Sequence, residues 1–363
     1  MALFSIRFKS FLKGTRVGTY IRRRRWNKGI ISVSSINRSI TKYMGEISTE
    51  ERTRVLDDIL TMAKKYRFSA EEYFCYHFQD KSEDEIKTFI SDLNRVDFCE
   101  KLNKATNLPY FDDKMQSAKT FGRYYGRDVC GVKGYSDIDE LKEFLKKHPR
   151  FMFKPLTGTC GQGISIMTIS CDETETIERL VRENCSLGKD GFIVEELIVQ
   201  TPEMAQFHPS SLNTIRVATI KFDDGVEVVE AFFRTGRGGN IVDNAGAGGV
   251  FGTIDIETGI IDAVGDEYGN LYEVHPDSGL PIRGFTIPHW EEAKAMAIEL
   301  ADIVKGNRYA GWDLALTENG WIMIEGNARG QFVWQMPRQK GWLPQANAIL
   351  KRLGLSEMEK LSI

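Results

Sequence analysis

No stretch of about 18 consecutive apolar residues, the length that crosses a bilayer as a helix, occurs in the 363 residues. The N-terminus also lacks a long apolar core followed by small residues, so no secretory signal is expected. Six cysteines (Cys75, Cys99, Cys130, Cys160, Cys171 and Cys185) show no C-x-x-C spacing, and the five histidines do not accompany them at zinc-ligand intervals. That argues against a structural zinc and for reduced thiols in a cytoplasmic protein. Internal repeats and low-complexity linkers are missing too, leaving changes of pattern as the guide to boundaries. Acid is absent from the first 45 residues, which carry eleven Lys and Arg; residues 46–363 hold the other 37 against 51 Asp and Glu, a net −14.

What is present is an ordinary globular composition, 42% hydrophobic and 11% aromatic, enough for a substantial core in two or three lobes. Residues 1–28 interleave Leu3, Phe4, Ile6, Phe8, Phe11 and Leu12 with basic side chains and end on Arg22–Arg25 and Trp26. Such a segment suits an anionic membrane surface or a phosphorylated partner, or else lies over the body as a solvated arm. Duplex nucleic acid fits less well, because the remaining chain is acidic and has no recognition motif. From Ser48 to about Lys104 the apolar spacing is helical throughout, and Ser82-Glu83-Asp84-Glu85 reads as a capping box opening the last helix.

At Pro109 the pattern changes. A helix from Asp113-Lys114 to Phe121, a short strand at Val129–Val132 and a helix over Ser136–Lys147 lead to the strand Phe151–Pro155. Thr157-Gly158-Thr159-Cys160-Gly161-Gln162-Gly163 and a second strand, Ile164–Ile169, follow. This is a glycine-rich hairpin with Lys154 at its base. Glycines let backbone N–H groups approach an anion and the lysine adds a point charge, a combination suited to polyphosphate, although such turns also occur without a ligand. It is neither a Walker A loop nor a Rossmann fingerprint, since a strand and not a helix follows the glycines. A helix over Glu173–Ser186 precedes a strand at Phe192–Ile198. A hairpin (Thr214–Lys221, Val226–Arg234) then leads to Arg237 and more glycines. Arg216, Arg234 and Arg237 cluster by sequence and suit phosphate or carboxylate, with surface ion pairing the alternative for Arg234. Ile254–Ile261 reads as a strand, residues 262–288 have no assignable pattern, Trp290–Lys305 reads as a helix, and 343–356 as a closing helix.

Gly311–Gln331 carries the sharpest functional pattern. Leu314, Leu316, Ile322 and Ile324 alternate at strand period about Glu318-Asn319-Gly320. A three-residue loop would set Thr317 opposite Trp321, Ala315 opposite Met323 and Asp313 opposite Glu325, with Asn327 on the same face and the four aliphatics on the other. Two opposed carboxylates repel unless one is protonated or a cation lies between them. Carboxylate and amide oxygens are the ligands Mg2+ prefers, so a divalent ion is the expected occupant, with strand ends solvated in water as the alternative.

In order along residues 110–335, Asp113-Lys114, Lys154 with its glycine loop, Glu195-Glu196-Leu197, and Asp313 with Glu325-x-Asn327 resemble the motifs of the ATP-grasp superfamily. The resemblance implies an α+β fold in which two lobes enclose ATP, here preceded by a helical domain in place of the usual Rossmann-like one. It further implies that Gly158, Gly161 and Gly163 close over ATP, that Lys114 and Lys154 touch phosphates, and that Glu195, Glu196 and Leu197 read adenine. Asp313, Glu325 and Asn327 would hold Mg2+. Two groups within the superfamily look similar. Ribosomal-protein glutamate ligases share Arg216 and Asn244 followed by Gly248-Gly249, but the arginine they place before the glycines is Ala247 here. The sugar-transfer-associated ATP-grasp proteins resemble the chain more closely, through His208-Pro209-Ser210-Ser211-x-Asn213-Thr214-x-Arg216 and Gly236-Arg237-Gly238-Gly239-x-x-Val242-Asp243-Asn244. Glu325-x-Asn327 continues as Ala328-Arg329-Gly330, without the proline often found there.

The resulting expectation is a basic arm at 1–45, a helical domain at 46–108, ATP-grasp lobes at 109–193 and 194–345, and a C-terminal helix and tail at 346–363. The activity implied is an ATP- and Mg2+-dependent carboxylate ligase that forms an acyl phosphate and transfers the acyl group to an amine, hydroxyl or thiol acceptor in surface polysaccharide or glycoconjugate modification, with Lys154, Arg216, Arg237 and Asn244 as catalytic residues; a sugar or alcohol kinase on the same fold is the rival. Its partners would be a small-molecule or sugar-linked carboxylate and a nucleophilic acceptor, with peripheral contact to an anionic inner membrane face through residues 1–28. A catalytic thiol at Cys160 is not required, because activation by ATP needs no protein nucleophile.

Overall fold

A computed structural model of the protein describes residues 24–156, 163–186, 189–239 and 248–358. Gly158, Gly161, Asn244 and residues 1–23 lie outside them.

Helices α1 (Val33–Met44), α2 (Thr49–Tyr66), α3 (Ala70–Cys75) and α4 (Asp92–Leu102) form the N-terminal region. Each of α2, α3 and α4 starts at a serine whose hydroxyl accepts a first-turn N–H: Ser48, Ser69 and Ser91. Ile36 and Ile40 of α1 are fully buried with Ile59, Phe68, Tyr73 and Phe74, so the helical core draws on the segment expected to be an arm. The Ser82–Glu85 capping box is present but opens a single turn, Glu83–Ile86. The long helix begins only at Asp92, because the Gln335 side chain takes up the N–H and C=O of Ile90 and holds that stretch out of helix.

These helices are tied to the rest of the chain through backbone groups. Cys75 Sγ donates to the Glu267 carbonyl at 2.7 Å, His77 Nε2 lies 2.9 Å from the Gly269 carbonyl, and the Leu343 N–H donates to Thr88 O at 2.8 Å. Arg95 of α4 donates to the carbonyls of Arg329 and Gly330, directly beyond the Asp313–Asn327 hairpin.

The first sheet has the order β1-β4-β2-β3, all antiparallel, from β1 (Val129–Val132), β2 (Arg150–Pro155), β3 (Ser165–Thr168) and β4 (Phe192–Glu196). Phe151, Phe153, Phe192 and Val194 pack on one face against helices α6 (Ile138–Lys147) and α7 (Thr174–Asn184). Strand alternation puts Met152, Lys154 and Glu195 on the other face. Helix α5 (Lys114–Phe121) lies there: a Cβ on Gly131 of β1 would come within 2.6 Å of the Met115 sulfur.

The second sheet has the order β10-β9-β5-β6-β7-β8, again antiparallel throughout. Its strands are β5 (Thr214–Lys221), β6 (Val226–Thr235), β7 (Val250–Ile254), β8 (Ile261–Asp266), β9 (Tyr309–Thr317) and β10 (Gly320–Asn327). Helix α8 (Trp290–Ile303) packs on one face against Ile215, Val217, Ala231, Phe233, Leu314 and Leu316. The other face is covered by α4, by Phe332, Trp334 and Trp342, and by helix α9 (Leu343–Arg352). One expectation is corrected here. Residues 254–261 are not one strand: Asp255 accepts the N–H groups of Glu257 and Thr258, Gly259 takes a φ of +72°, and the resulting turn separates β7 from β8. The unassigned stretch after it is β8 followed by turns bridged at Gly265–Leu271 and Val274–Pro281.

Candidate active site

The β9–β10 hairpin brings Asp313 opposite Glu325, as the spacing predicts, but by a different route. Thr317 pairs with Gly320, so the loop has two residues, and Leu316 faces Trp321 while Leu314 faces Met323. A bulge between Met323 and Glu325 then restores the Asp313–Glu325 pairing. The apolar face is therefore Leu314, Leu316, Trp321 and Met323. Ile322 shares the face of Ala315 and Asp313, and Ile324 is the extra residue of the bulge. Asn327, opposite Gly311, lies on the carboxylate face, where its Nδ2 donates to Glu325 Oε1 at 3.3 Å.

The cation expected between these carboxylates is supplied in part by the protein. Arg216 is in register with Asp313 and donates to it bidentately, Nε at 2.5 Å and Nη2 at 2.7 Å. Arg234, two residues along the same face of β6, donates to Asp313 Oδ2 at 2.9 Å and to Thr214 Oγ1 at 2.7 Å. Arg234 is thus in a buried ion pair and not a surface one. Arg216 Nη2 also stands 3.8 Å from Glu325 Oε1. Burial acts to raise the pKa of Asp313, but the two guanidiniums outweigh it and hold the carboxyl below its usual range. Glu325, deep in the cleft yet 53% exposed on its side chain, goes the other way: surrounding protein and the charge of Asp313 push it up despite the arginines. Two adjacent carboxylates are held apart in acidity, one locked and one open.

On the facing sheet, Glu195 accepts from Lys154 Nζ and from Arg127 Nε, each at 2.8 Å. Burial opposes its ionisation, but those two charges bring its pKa down to about 2. Arg127 also donates to the carbonyls of Met323 at 2.7 Å and Ile324 at 3.3 Å, so one side chain ties the first sheet to the bulge of β10. Gly126 makes the approach possible, with a φ of +57° and Ile322 Cγ2 only 2.3 Å from where a Cβ would sit. Lys114 opens α5, where Asp113 caps the helix by accepting from the N–H groups of Met115 and Gln116. Burial and the nearby Lys154 lower the pKa of Lys114, with Glu325 and Glu195 partly offsetting them.

Lys114, Lys154, Glu195, Glu325 and Asn327 therefore line one cleft. Glu196 does not: pairing with Phe151 puts it on the opposite face of β4, where Oε2 accepts the Asp128 N–H at 3.0 Å. Leu197 lies just past the strand end. Gly163 has a φ of +74° beside Pro155. Arg237 Nη1 donates to Tyr272 Oη at 3.0 Å and to buried Asp266 at 3.3 Å, and a Cβ on Gly248 would be 3.9 Å from its Nη2. Within the His208–Asn213 motif, buried His208, Ser211 and Asn213 form a bracket under the Gly236–Gly239 turn: Ser211 Oγ accepts the Gly236 N–H at 3.0 Å. Arg127 and the approach of Asp277 to His208 are not singled out by sequence reasoning; an arginine after a glycine before a strand is the one weak signal for the first.

No curated protein sequence matches the chain. Among solved structures it is similar to the ATP-grasp ligase PsnB complexed with minimal precursor, Mg and ADP, with 15% identity over 70% of this chain and 62% of that one and a TM-score of 0.43. It is also similar to D-alanyl-alanine synthetase A from Vibrio cholerae (11%, 71% and 65%, TM-score 0.40) and to VanG D-Ala:D-Ser ligase from Enterococcus faecalis (14%, 71% and 62%, TM-score 0.42). The chain thus spans less than two thirds of the length of each. The model of one family covers both sheets and the cleft between them, matching residues 93–351, and by that match the chain belongs to the sugar-transfer associated ATP-grasp family.

Proposed function

We propose that the protein is an ATP- and Mg2+-dependent ligase that activates a carboxylate as an acyl phosphate and passes the acyl group to a nucleophilic acceptor. Family membership supports ATP as cosubstrate and a sugar-linked or glycoconjugate setting for the acid. The observation that carries the reading is the facing of two charged sets across one cleft: Lys114 and Lys154 on the side of the first sheet, Glu325 and Asn327 backed by Asp313, Arg216 and Arg234 on the second.

Donor chemistry fits a hard divalent ion: Glu325 offers an accessible carboxylate and Asn327 an amide oxygen. Asp313, with both oxygens on guanidiniums, has only its remaining lone pairs to give and fixes the arginines as well. When bound, the ion would neutralise phosphate charge. The protein's own groups do the rest. Lys154, aimed by Glu195, and Lys114 bind and orient phosphate oxygens, and Arg237 orients the acid. Adenine is placed at the end of β4 by backbone and Leu197, since the Glu196 carboxylate is already used. In the reaction a carboxylate oxygen attacks the γ-phosphorus as the bond to ADP breaks. The acceptor then attacks the carbonyl, phosphate leaves, and the acceptor gives up a proton. We place the two ATP-grasp lobes on either side of the end of β4, moving the boundary expected at 193/194 past Glu196 because all of β4 pairs within the first sheet.

Hydroxylamine captures an acyl phosphate as a hydroxamate and does not react with a phosphorylated alcohol. Protein, Mg-ATP, hydroxylamine and pools of uronic acids and amino acids should give ADP and a hydroxamate. ADP with a stable phosphorylated sugar and no hydroxamate would replace the ligase reading by a kinase.

A further inference from the structure

Glu325-Gly326-Asn327 is gripped through main-chain carbonyls on both sides. Ahead of it, Arg127 takes the carbonyls of Met323 and Ile324. Behind it run Ala328-Arg329-Gly330, which include no proline to restrict their backbone. All three of their carbonyls accept hydrogen bonds from side chains of α4 and the residue that ends it. Asn103 Nδ2 donates to Ala328 O at 2.7 Å, and Arg95 Nη1 donates to Arg329 O and, at 3.1 Å, to Gly330 O.

Arg95, Cys99 and Asn103 recur at intervals of four, so one face of the helix carries both donors. Arg95 is 7% exposed, and Asp92 Oδ1, 2.8 Å from its Nε, fixes the guanidinium fork from the far side. Asn103 spends its whole amide on main chain. Its Oδ1 accepts the N–H groups of Arg308 at 3.0 Å and Tyr309 at 2.9 Å, and its two Nδ2 hydrogens go to Tyr309 O at 2.9 Å and Ala328 O. A single side chain thus joins the start of β9 to the residue directly after Asn327.

The strand between the two grips has little means of fixing itself. Gly326 lies directly on Trp312 and Phe111, where a Cβ would come within 2.8 Å and 3.1 Å of the rings, so close packing excludes a side chain and leaves the most permissive backbone of any residue between the two ligand candidates. Asn327 gives its Nδ2 hydrogen to Glu325 Oε1 at 3.3 Å, which assigns Oδ1 to a metal. A rotation of the chain at Ala328 would turn that oxygen away from the Glu325 carboxylate.

We propose that Arg95 and Asn103 are positioning residues of the metal site, acting through the carbonyls of residues 328–330 to hold Asn327 in register with Glu325. This rests on the metal assignment made above. Neither side chain touches the ion; each acts on the main chain that carries a ligand, as an outer-shell partner does, and loss of such a partner typically weakens metal affinity 10- to 100-fold.

Calorimetric titration with a non-hydrolysable ATP analogue, once in EDTA and once in MnCl2, gives the metal-dependent gain in affinity without turnover. Glu325→Gln should abolish the gain. Asn103→Asp differs by the replacement of one NH2 group, keeps the acceptor for Arg308 and Tyr309, and loses the bond to Ala328; its gain should fall at least about tenfold, with binding in EDTA near wild type. Arg95→Met should behave alike, and Arg95→Lys, which restores one donor, should recover part of the gain. An unchanged gain in Asn103→Asp, or losses that are equal in EDTA and MnCl2, overturns the proposal in favour of a packing role. A wild-type gain that survives Glu325→Gln overturns the metal assignment itself, a result distinct from a wild-type gain that depends on Glu325 but ignores Asn103 and Arg95.

Discussion

Glu195 offers the most direct test of how the cleft is held together. Its side chain is 5% exposed, between Arg127 and Lys154, and its pKa is about 2 against an ordinary 4.5. A carboxyl whose folded pKa is depressed contributes stability that is complete above the unfolded value and lost as pH falls through the folded one. The gap from 4.5 to about 2 corresponds to about 3 kcal/mol, present at pH 7 and lost between pH 4.5 and 2. Glu195→Gln does more than remove that contribution, because it leaves two buried cations facing each other with Lys114 nearby. The expected cost at pH 7 is about 3–5 kcal/mol, the usual penalty for breaking a buried pair from one side. Urea titration at pH 7 measures it, and thermal midpoints from pH 5 down to about 2 should decline less in the variant than in wild type. Adding Lys154→Met to Glu195→Gln should restore part of the loss by removing the surplus charge. A single-variant cost below about 1 kcal/mol, or a double variant that is simply additive, would mean that Glu195 is solvated and that Arg127 does not depend on it.

Glu325→Gln should lower ATP turnover by orders of magnitude with less than about 1 kcal/mol change in stability, since it removes an accessible charge at nearly constant shape; near-wild-type turnover would discard the metal assignment. Because the Glu325 carboxyl is pushed upward in the metal-free protein, kcat/KM for Mg-ATP, which reports the free enzyme, should fall on acidification at a pH above the ordinary carboxylate range, and a profile whose acid limb lies at or below that range would contradict it. Arg216→Met should cost about 3–5 kcal/mol by leaving the buried Asp313 charge to Arg234, with Asp313→Asn partly rescuing the fold in urea melts. We also expect residues 1–28 to favour anionic over neutral vesicles in sedimentation, at roughly 1 kcal/mol per basic residue at the surface; equal binding to both, or binding that survives deletion of the arm, would remove that role.

Local patterns carried much of this fold. The Ser82–Glu85 capping box, the helix start at Asp113-Lys114, the Lys154 hairpin and the Thr214–Thr235 hairpin depend on neighbours a few residues away and were legible for that reason. The Asp313–Glu325 pairing was legible only because two unseen features cancelled: a loop one residue shorter than expected and a bulge that adds one back. Arg127 could not be read, since its partners are 68 residues away at Glu195 and 196 and 197 away at Met323 and Ile324. Arg234 was ambiguous for the same reason, its carboxylate lying 79 residues on. Alternation at Ile254–Ile261 misled because Asp255 and Gly259 satisfy a turn within the same stretch.

The docking of the N-terminal helices has a bearing on how such chains can be recombined. Residues 24–92 precede the matched family region, yet they meet it through main-chain groups: Glu267 O, Gly269 O and the Leu343 N–H, with Gly269 so close to Cys75 that a Cβ would stand 2.9 Å from its Cα. Asp266, at the head of the same turn, holds Arg237. A foreign N-terminal domain grafted at residue 93 would need to supply not only an apolar surface but a thiol or equivalent donor, an imidazole and a carbonyl at fixed backbone positions. The helical region is in that sense not a detachable module but a fitted half of a joint, and exchange of this part between relatives should succeed only when the 266–270 turn travels with it.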